Sequence, residues 1–289
     1  EMCIRDRVSA EYMDVTLSSM IDGGLVNLKI GNPLGLPGGG LGAVSNTDYD
    51  VFAENTADDW GFGFNLGAIY EFTPDTRIGF AYRSEITHKL KGDIDLDVPS
   101  SMAGLESLFQ DQDIHGKIKL PATASLHGYS KITDRFALMA DVTWTDWSTF
   151  DELTIHFEES EIAGNDSTTT TEKWDDTWRY SLGATFQATN TLLLRTGVAY
   201  DETPITDEYR TPRVPGEDRY WVSIGAGYQF SDSITMDLAY AHLFVDDSKM
   251  EKYATNPEDA GRGTVVGEFD NSVDIVSVGS VSYTHLRAH

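Results

Sequence analysis

Apolar and polar positions alternate with a period of two in two consecutive runs near the C-terminal end of the chain. In the first run, 220–230, every second residue is large and apolar or aromatic, and the residues between are mostly small or polar. The second run, 234–241, has the same pattern and starts after a short polar turn. Such alternation is typical of strands with two unlike faces, so the two runs predict a β-hairpin.

The length of these runs indicates what covers the apolar face. Strands of soluble sandwiches are usually about five or six residues long, and each of these runs is clearly longer, with aromatic residues towards both ends of the apolar face. Transmembrane barrel strands have this length, with apolar and aromatic side chains towards lipid and small or polar ones towards the lumen. The hairpin is therefore predicted to be part of a barrel wall.

The same pattern recurs along the chain. In 60–72, Trp60, Phe62 and Phe64 share one face, and Gly61 and Gly63 share the other. The remaining predicted strands are 9–18, 78–90, 117–129, 136–149, 178–187, 192–200 and 273–283. Short turns alternate with long connections, as in an up-and-down meander with one end in the periplasm. The predicted fold class is all-β: a transmembrane antiparallel up-and-down β-barrel with at least ten strands, long extracellular loops and short periplasmic turns. A soluble barrel or sandwich is the alternative.

Composition narrows the class further. No run of the 289 residues approaches the length of apolar helix that spans a membrane, so a helical membrane protein is excluded. The net charge of −26 argues against nucleic-acid binding, which needs a basic surface. Cys3 is the only cysteine. Residues 1–7 and 284–289 resemble translated sequencing adaptors and are predicted to be foreign, which leaves 8–283 as a single partial barrel domain.

Several segments resemble one family of outer-membrane proteins. WGFGFNLGAIYEF at 60–72, IGFAYRSEITHKLKGD at 78–93, IKLPATASLHGYSKITDRFALMADVTWTDWSTF at 118–150 and WDDTWRYSLGATFQ at 174–187 are similar to the FadL-type transporters of fatty acids and hydrocarbons (OMPP1/FadL/TodX-like). The resemblance implies a barrel of about fourteen strands with an N-terminal hatch. It also implies that this chain is a C-terminal fragment without signal peptide, hatch and about four strands, which leaves two unpaired sheet edges.

The same resemblance implies passive uptake of hydrophobic compounds across the outer membrane of a Gram-negative bacterium. Long-chain fatty acids are the expected substrates, captured by apolar extracellular loops and released laterally through the barrel wall. The expected protein is a monomer that contacts outer-membrane lipid and lipopolysaccharide and uses no cofactor. Uptake of aromatic or alkane hydrocarbons by the same fold is an alternative, and an outer-membrane barrel lipase or a structural, adhesive barrel are alternatives of other classes.

Two groups of residues are candidate ligand contacts. The first consists of apolar residues in the connections 19–59 and 91–116, which match the family's capture loops: Leu25, Leu28, Ile30, Leu34, Leu36, Met102, Leu105, Leu108 and Phe109. The second consists of cations whose strand positions face the lumen: Arg83, Lys119, Arg179, Arg195 and Arg219. The alternatives are that the loop residues only pack the two loops together, and that the cations pair with acidic residues on neighbouring strands.

Signals for catalysis or metal binding are poor, and we expect neither. The chain has no serine-hydrolase, zinc-protease or phosphate-loop motif. Ser125 and His127 lie on the lumen face of one strand and do not supply the lipid-facing serine and histidine of a lipase. Asp93, Asp95 and Asp97 lack the glycine and the terminal glutamate of a calcium loop, so a solvated loop is predicted there.

Overall fold

The computed structural model describes residues 2–36, 44, 46–159, 161–162, 164–231, 233–253 and 264–282. Over these residues the first half of the chain forms β1 Met2–Asp22, α1 Gly23–Lys29, β2 Asp50–Thr73, β3 Thr76–Arg83, β4 Ile86–His88, β5 Lys91–Asp97, β6 Gln112–Gly116, β7 Ile118–Leu120, β8 Thr123–Thr133 and β9 Phe136–Thr145. The second half forms β10 Glu152–Phe157, β11 Ser167–Thr171, β12 Thr177–Gln187, β13 Leu192–Asp201, β14 Arg219–Ser231, β15 Ile234–Val245, β16 Ser248–Lys252, β17 Val265–Phe269 and β18 Ser272–Ser282.

One antiparallel sheet of 14 strands dominates the fold. Ten of its strands form the wall, in the order β1-β2-β3-β8-β9-β12-β13-β14-β15-β18, and they correspond to the ten predicted strands. The other four strands of the sheet are β5, β6, β10 and β11. The all-β, antiparallel prediction is therefore confirmed. Closure of the barrel is not observed: in the described part of the chain β1 pairs with β2, β18 pairs with β15, and no ladder joins β1 to β18. None of the described helices is long and apolar enough to cross a membrane.

The outer face of the sheet is apolar and uncovered. On β2, Trp60, Phe62 and Phe64 are 56%, 67% and 46% exposed. The ring centroids of Tyr12 and Trp60 lie 5.3 Å apart on neighbouring strands, near the middle of β2, where the aromatic run 60–72 begins. In water such a surface would be unfavourable, whereas in a bilayer it is the lipid-facing surface of a barrel with an aromatic girdle.

Buried apolar side chains gather at the extracellular ends of the strands, where the chain leaves lipid. The cluster there consists of Val26, Val51, Ala53, Ile94, Met102, Leu105, Phe109, Ile114 and Ile162. It lies between α1, the upper part of β2, and strands β5 and β6. Because water rather than lipid surrounds this region, its apolar side chains pack inside the protein, as in a soluble domain.

The predicted long loops were wrong in part, because four of them contain strands. The connection 19–59 holds the end of β1, α1 and the start of β2; 91–116 holds β5 and β6; 151–174 holds β10 and β11; and 246–271 holds β16 and β17. In β5, Ile94 and Leu96 face inwards while Asp93, Asp95 and Asp97 face outwards. Acidic residues on the water-exposed face therefore gave a strand the composition of a loop. Between β5 and β6 the chain forms two short 3₁₀ turns, Ser100–Met102 and Glu106–Leu108.

The first strand is also longer than predicted. It begins at Met2, and residues 2–7 pair with β2 between Tyr70 and Asn65. This pairing does not address whether 1–7 is foreign, which stays a prediction together with the single domain at 8–283. Residues 283–289 lie outside the described residues.

The wall bends inwards where one predicted strand, 78–90, is broken. β2 pairs with β3 as far as Asn65 and with β5 from Asp58 onwards. The segment 84–90 is one residue longer than the segment 59–64 opposite to it, so it leaves the sheet, and its β4 pairs with β7 instead. β4 lies on the lumen side of β2, because a Cβ at Gly61 would be 2.4 Å from Cγ2 of Ile86.

Candidate functional site

A cavity of about 990 Å³ lies against the lumen face of the wall. Strands β1, β2, β3, β8, β9, β12, β13 and β14 contribute to it. Glycines at positions 67, 79, 128, 183 and 197 line it, and their missing side chains leave the space open. The polar groups in its lining include Arg77, His127, Asp141, Arg179 and Trp221. The cavity is thus a mostly small-residue surface with a few polar groups at fixed places, as ligand sites generally are.

The carboxylate of Asp141 is the centre of a polar cluster in this cavity. Nη2 of Arg179 lies 3.7 Å from its Oδ1, and Nδ1 of His127 lies 2.5 Å from its Oδ2. The hydroxyls of Thr143 and Ser181 donate to Oδ1 at 3.1 and 3.3 Å. The register places these side chains together, because Asp141 of β9 pairs with His127 on one side and with Ser181 on the other. Arg179 is therefore partly, not fully, neutralised.

Two further donors of the cavity are not paired with a carboxylate among the described residues. The Nε1–H of Trp221 is buried without an acceptor, and an indole can only donate. The guanidinium of Arg77 lies 4.5 Å from the ring centroid of Tyr129 and has no carboxylate within 4.0 Å in the described chain. Neither residue was among the predicted ligand contacts. Both occupy odd-numbered positions, on β14 and β3, as their lumen-facing neighbours do, and this pattern could have identified them.

Four of the five predicted lumen cations lie away from this cavity lining and have their own partners. Nη1 of Arg195 lies 2.5 Å from Oδ1 of Asp237, and Nη2 of Arg219 lies 2.9 Å from Oδ2 of Asp201. Nζ of Lys119 lies 3.8 Å from Oε2 of Glu85, and Nε of Arg83 donates to Oδ1 of Asn65 at 3.2 Å. Pairing with an acidic residue, the alternative considered above, is thus observed for Arg195, Arg219 and Lys119, but only the partner of Arg219 lies on a directly neighbouring strand. Ligand contact by these residues stays a prediction, and Arg179 is the one placed on the cavity.

Ser125, His127 and Asp141 form a row that resembles a hydrolase triad. Oγ of Ser125 lies 2.8 Å from Nε2 of His127, and Nδ1 of the same ring lies 2.5 Å from Oδ2 of Asp141. Acyl transfer also needs free N–H donors for the oxyanion. The backbone around Ser125 is paired on both sides, with β3 and β9, so the row lacks this component.

A second cavity, of about 720 Å³, lies at the extracellular end. Leu25, Val26, Ile94 and Phe157 line it, together with Arg213. α1 positions Leu25, because Oδ1 of Asp22 caps the helix by accepting from the Leu25 N–H at 2.8 Å.

The structure separates the nine predicted loop residues into three groups. Leu25 lines the second cavity. Met102, Leu105 and Phe109 are buried, at 0%, 6% and 4% exposure, and Leu34 and Leu108 pack against the same core. Leu28 and Leu36 are half-buried, and Ile30 is 45% exposed. For the buried residues the structure shows a packing role, and ligand contact remains a prediction.

One carboxyl near the second cavity has a perturbed protonation equilibrium. Burial raises the pKa of Glu172, which follows β11, and the hydrogen bond from Nε1 of Trp174 to its Oε2 opposes that shift only in part.

Within the described ranges no group of three or more His, Cys, Asp or Glu side chains could hold a metal ion.

Comparison with known proteins identifies the family. The sequence profile described as "Outer membrane protein transport protein (OMPP1/FadL/TodX)" matches residues 8–284. The chain belongs to this family. OMPP1/FadL/TodX proteins are Gram-negative outer membrane proteins and act as channels, not as enzymes.

Two relatives show how much of a family member this chain spans. An outer membrane protein of Neisseria meningitidis serogroup B is 30% identical over 252 residues, which is 83% of this chain and 54% of the relative. The long-chain fatty acid transport protein of Escherichia coli K12 is 26% identical over 237 residues, 78% of this chain and 50% of the relative. The chain therefore spans about half the length of the curated relatives that it matches.

Solved structures of the OMPP1/FadL/TodX family agree with this fold. A Pseudomonas aeruginosa FadL homologue superposes with a TM-score of 0.79 at 26% identity, covering 97% of this chain and 63% of the homologue. The toluene transporter TbuX of Ralstonia pickettii gives a TM-score of 0.62 at 18% identity, covering 98% and 64%, and so supports the fold alone.

Proposed function

We propose that the protein takes up long-chain fatty acids across the outer membrane. The extracellular apolar region would capture them, the lumen would carry them, and release would be lateral, through the barrel wall of a monomer. Family membership supports transport of a hydrophobic compound. The choice of a fatty acid rests on one observation, the donors that line the lumen cavity.

Those donors match a carboxylate. Arg179 and Arg77 carry charge, and Trp221 presents an N–H without an acceptor among the described residues. An Arg–carboxylate contact is charge-assisted and stronger than a neutral hydrogen bond. The glycine-lined wall around these donors leaves room for an acyl chain, and each buried methylene contributes about 0.8 kcal/mol. An alkane or toluene would use the same wall but would form no hydrogen bond with these donors.

Hydrocarbon uptake is the second candidate. A toluene transporter shares the fold, and about half of the residues that line the extracellular cavity are apolar. Such ligands need no cation, so the two candidates predict different consequences when a cation of the lumen is removed.

The test measures uptake of labelled oleate and labelled toluene by cells that produce the full-length protein containing this chain and lack their own transporter. Arg179→Gln and Trp221→Phe are compared with Arg135→Gln, an exposed arginine in the short β8–β9 turn. We expect Arg179→Gln to weaken oleate uptake about tenfold, since a hydrogen bond to a charged group contributes about 1.5–3 kcal/mol. Trp221→Phe should have a smaller effect, and Arg135→Gln none.

Toluene uptake distinguishes the candidates. If the lumen donors bind a carboxylate, toluene uptake is unchanged in all three variants. Uptake of toluene but not oleate by the wild type would favour the hydrocarbon candidate, and equal effects of the lumen variants on both ligands would contradict a carboxylate contact.

A further inference from the structure

A recess of about 740 Å³ lies beneath β5, β6 and β10. Four lysines line it: Lys89, Lys91, Lys117 and Lys119, of which Lys119 had been predicted to face the lumen. In a chain with 21 lysines and arginines against 47 acidic residues, such a concentration of lysines is unexpected. Neither the lumen cavity nor the extracellular cavity includes these four side chains.

Three of the lysines have no ion-pair partner in the described chain. Lys119 is 3.8 Å from Glu85, but Lys89, Lys91 and Lys117 have no carboxylate within 4.0 Å. All three are exposed. These three lysines are unpaired among the described residues although the chain has more than twice as many acidic as basic residues. Their charges are therefore available to an external anion.

Two of the three carboxylates in the lining contact other side chains of the same recess. Oε1 of Glu158 is 3.0 Å from Nδ1 of His115, and Oε1 of Glu152 accepts from the hydroxyl of Thr154 at 3.0 Å. Asp151 is the third carboxylate of the lining. The rings of His115 and His156 stack at 5.0 Å and form the upper wall.

The strand register fixes the position of this recess relative to the membrane. Asp58, Lys91, His115 and His156 are successive cross-strand partners, on the face opposite to the buried Ile94 and Ile114. Asp58 is two residues from Trp60 on the same face of β2, about 7 Å along the strand. Trp60 lies near the middle of β2 and begins the aromatic run 60–72 on the side away from the short turn, which is the extracellular side. Asp58, Lys91, His115 and His156 therefore form the first polar row outside the lipid, at the level of the outer-leaflet headgroups.

The inward bend of the wall makes the recess. β4 and β7 leave the main sheet just below this row, and lysines 89, 117 and 119 lie next to or within those two strands. The outer leaflet of a Gram-negative outer membrane consists of lipopolysaccharide, whose lipid A headgroup carries phosphates. We propose that the lysine recess binds a lipid A phosphate of the surrounding outer leaflet. Basic pockets at headgroup height bind phosphorylated lipids by this chemistry.

The test uses the full-length protein in detergent. Lys89→Gln/Lys91→Gln/Lys117→Gln is compared with Lys29→Gln/Lys131→Gln/Arg135→Gln, which removes the same charge from α1 and the periplasmic turn. Lipid A that co-purifies per protein is counted by native mass spectrometry. We expect the recess variant to lose about fivefold or more of the bound lipid A and the control to keep it. Equal retention by both variants, or equal loss, would overturn the proposal.

A second measurement needs no variant and so is independent of folding defects. The wild-type protein is titrated with diphosphoryl lipid A, dephosphorylated lipid A, phosphatidylglycerol and inorganic phosphate. Tight binding of diphosphoryl lipid A, weakened by salt and lost on dephosphorylation, is expected. Binding that survives dephosphorylation, or equal competition by inorganic phosphate or phosphatidylglycerol, would contradict a lipid A site.

Discussion

The imidazole of His88 lies directly on Gly61: a Cβ at Gly61 would be 2.6 Å from Cε1 and 2.8 Å from Nε2 of the ring. His88 is fully buried, and its ring nitrogens lie 3.8 Å from Oε1 of Glu11 and 3.7 Å from Oδ2 of Asp59. The absence of a side chain at Gly61 is thus what allows β4 to pack against the wall and the lumen to narrow there.

Gly61→Ala should therefore destabilise the protein, although alanine is otherwise the better strand residue. The added methyl would overlap Ile86 and His88 in a packed site, and overpacking costs about 1–3 kcal/mol. Urea unfolding of the full-length protein in detergent measures this. Gly79→Ala is the control, because its nearest contact would be an ordinary 3.6 Å, and a loss of stability as large as that of Gly61→Ala would contradict the steric explanation.

The buried loop residues should contribute to stability more than to ligand capture. Truncation of Met102 or Phe109 to alanine leaves a cavity in the extracellular core and should cost about 2–5 kcal/mol. Ile30→Ala, at a position 45% exposed, should change stability by less than about 0.5 kcal/mol. Hydrogen exchange of the 91–116 segment reports the first effect. Unchanged exchange in Met102→Ala would show that the core there is looser than the structure has it.

The Arg195–Asp237 pair should couple only weakly in spite of its 2.5 Å contact. Both side chains are nearly half exposed to the lumen, 44% and 48%, and exposed pairs contribute about 0.2–1 kcal/mol. A double-mutant cycle with Arg195→Gln and Asp237→Asn gives this coupling directly. A coupling free energy above about 2 kcal/mol would mean that the lumen excludes water at this position.

Glu172 should make the extracellular segment around it more stable at lower pH. Because burial raises its folded-state pKa above the unfolded value, the folded segment binds the proton more tightly. Stability therefore rises as the pH falls through the raised pKa and levels off below the unfolded value. Glu172→Gln mimics the protonated form, so it should stabilise the segment at neutral pH and lose that advantage in acid. Hydrogen exchange of residues 164–176 against pH measures both, and identical pH profiles for the two proteins would refute the assignment.

Much of the wall could be predicted from residues alone. Trp60, Phe62 and Phe64 on one face and Gly61 and Gly63 on the other were enough to predict a long strand with a lipid face, and exposure in the structure agrees. The extracellular strands were missed, because Asp93, Asp95 and Asp97 gave β5 the composition of a loop. The candidate site was predicted less well: Arg179 lies on the lumen cavity, whereas Trp221 and Arg77 were overlooked.

The sequence by itself determined the ten strands of the wall and the side that faces lipid, since alternation is a local property and each run carries it without reference to any other. Only the tertiary structure decided which charges meet, because that depends on register between strands far apart in the chain. It also decided the inward bend. Segment 84–90 is one residue longer than segment 59–64, which lies opposite to it. As a result, Arg83 faces the lumen and Lys91 faces outwards, although both positions are odd-numbered. That single extra residue places β4 on Gly61 and opens the lysine recess outside it.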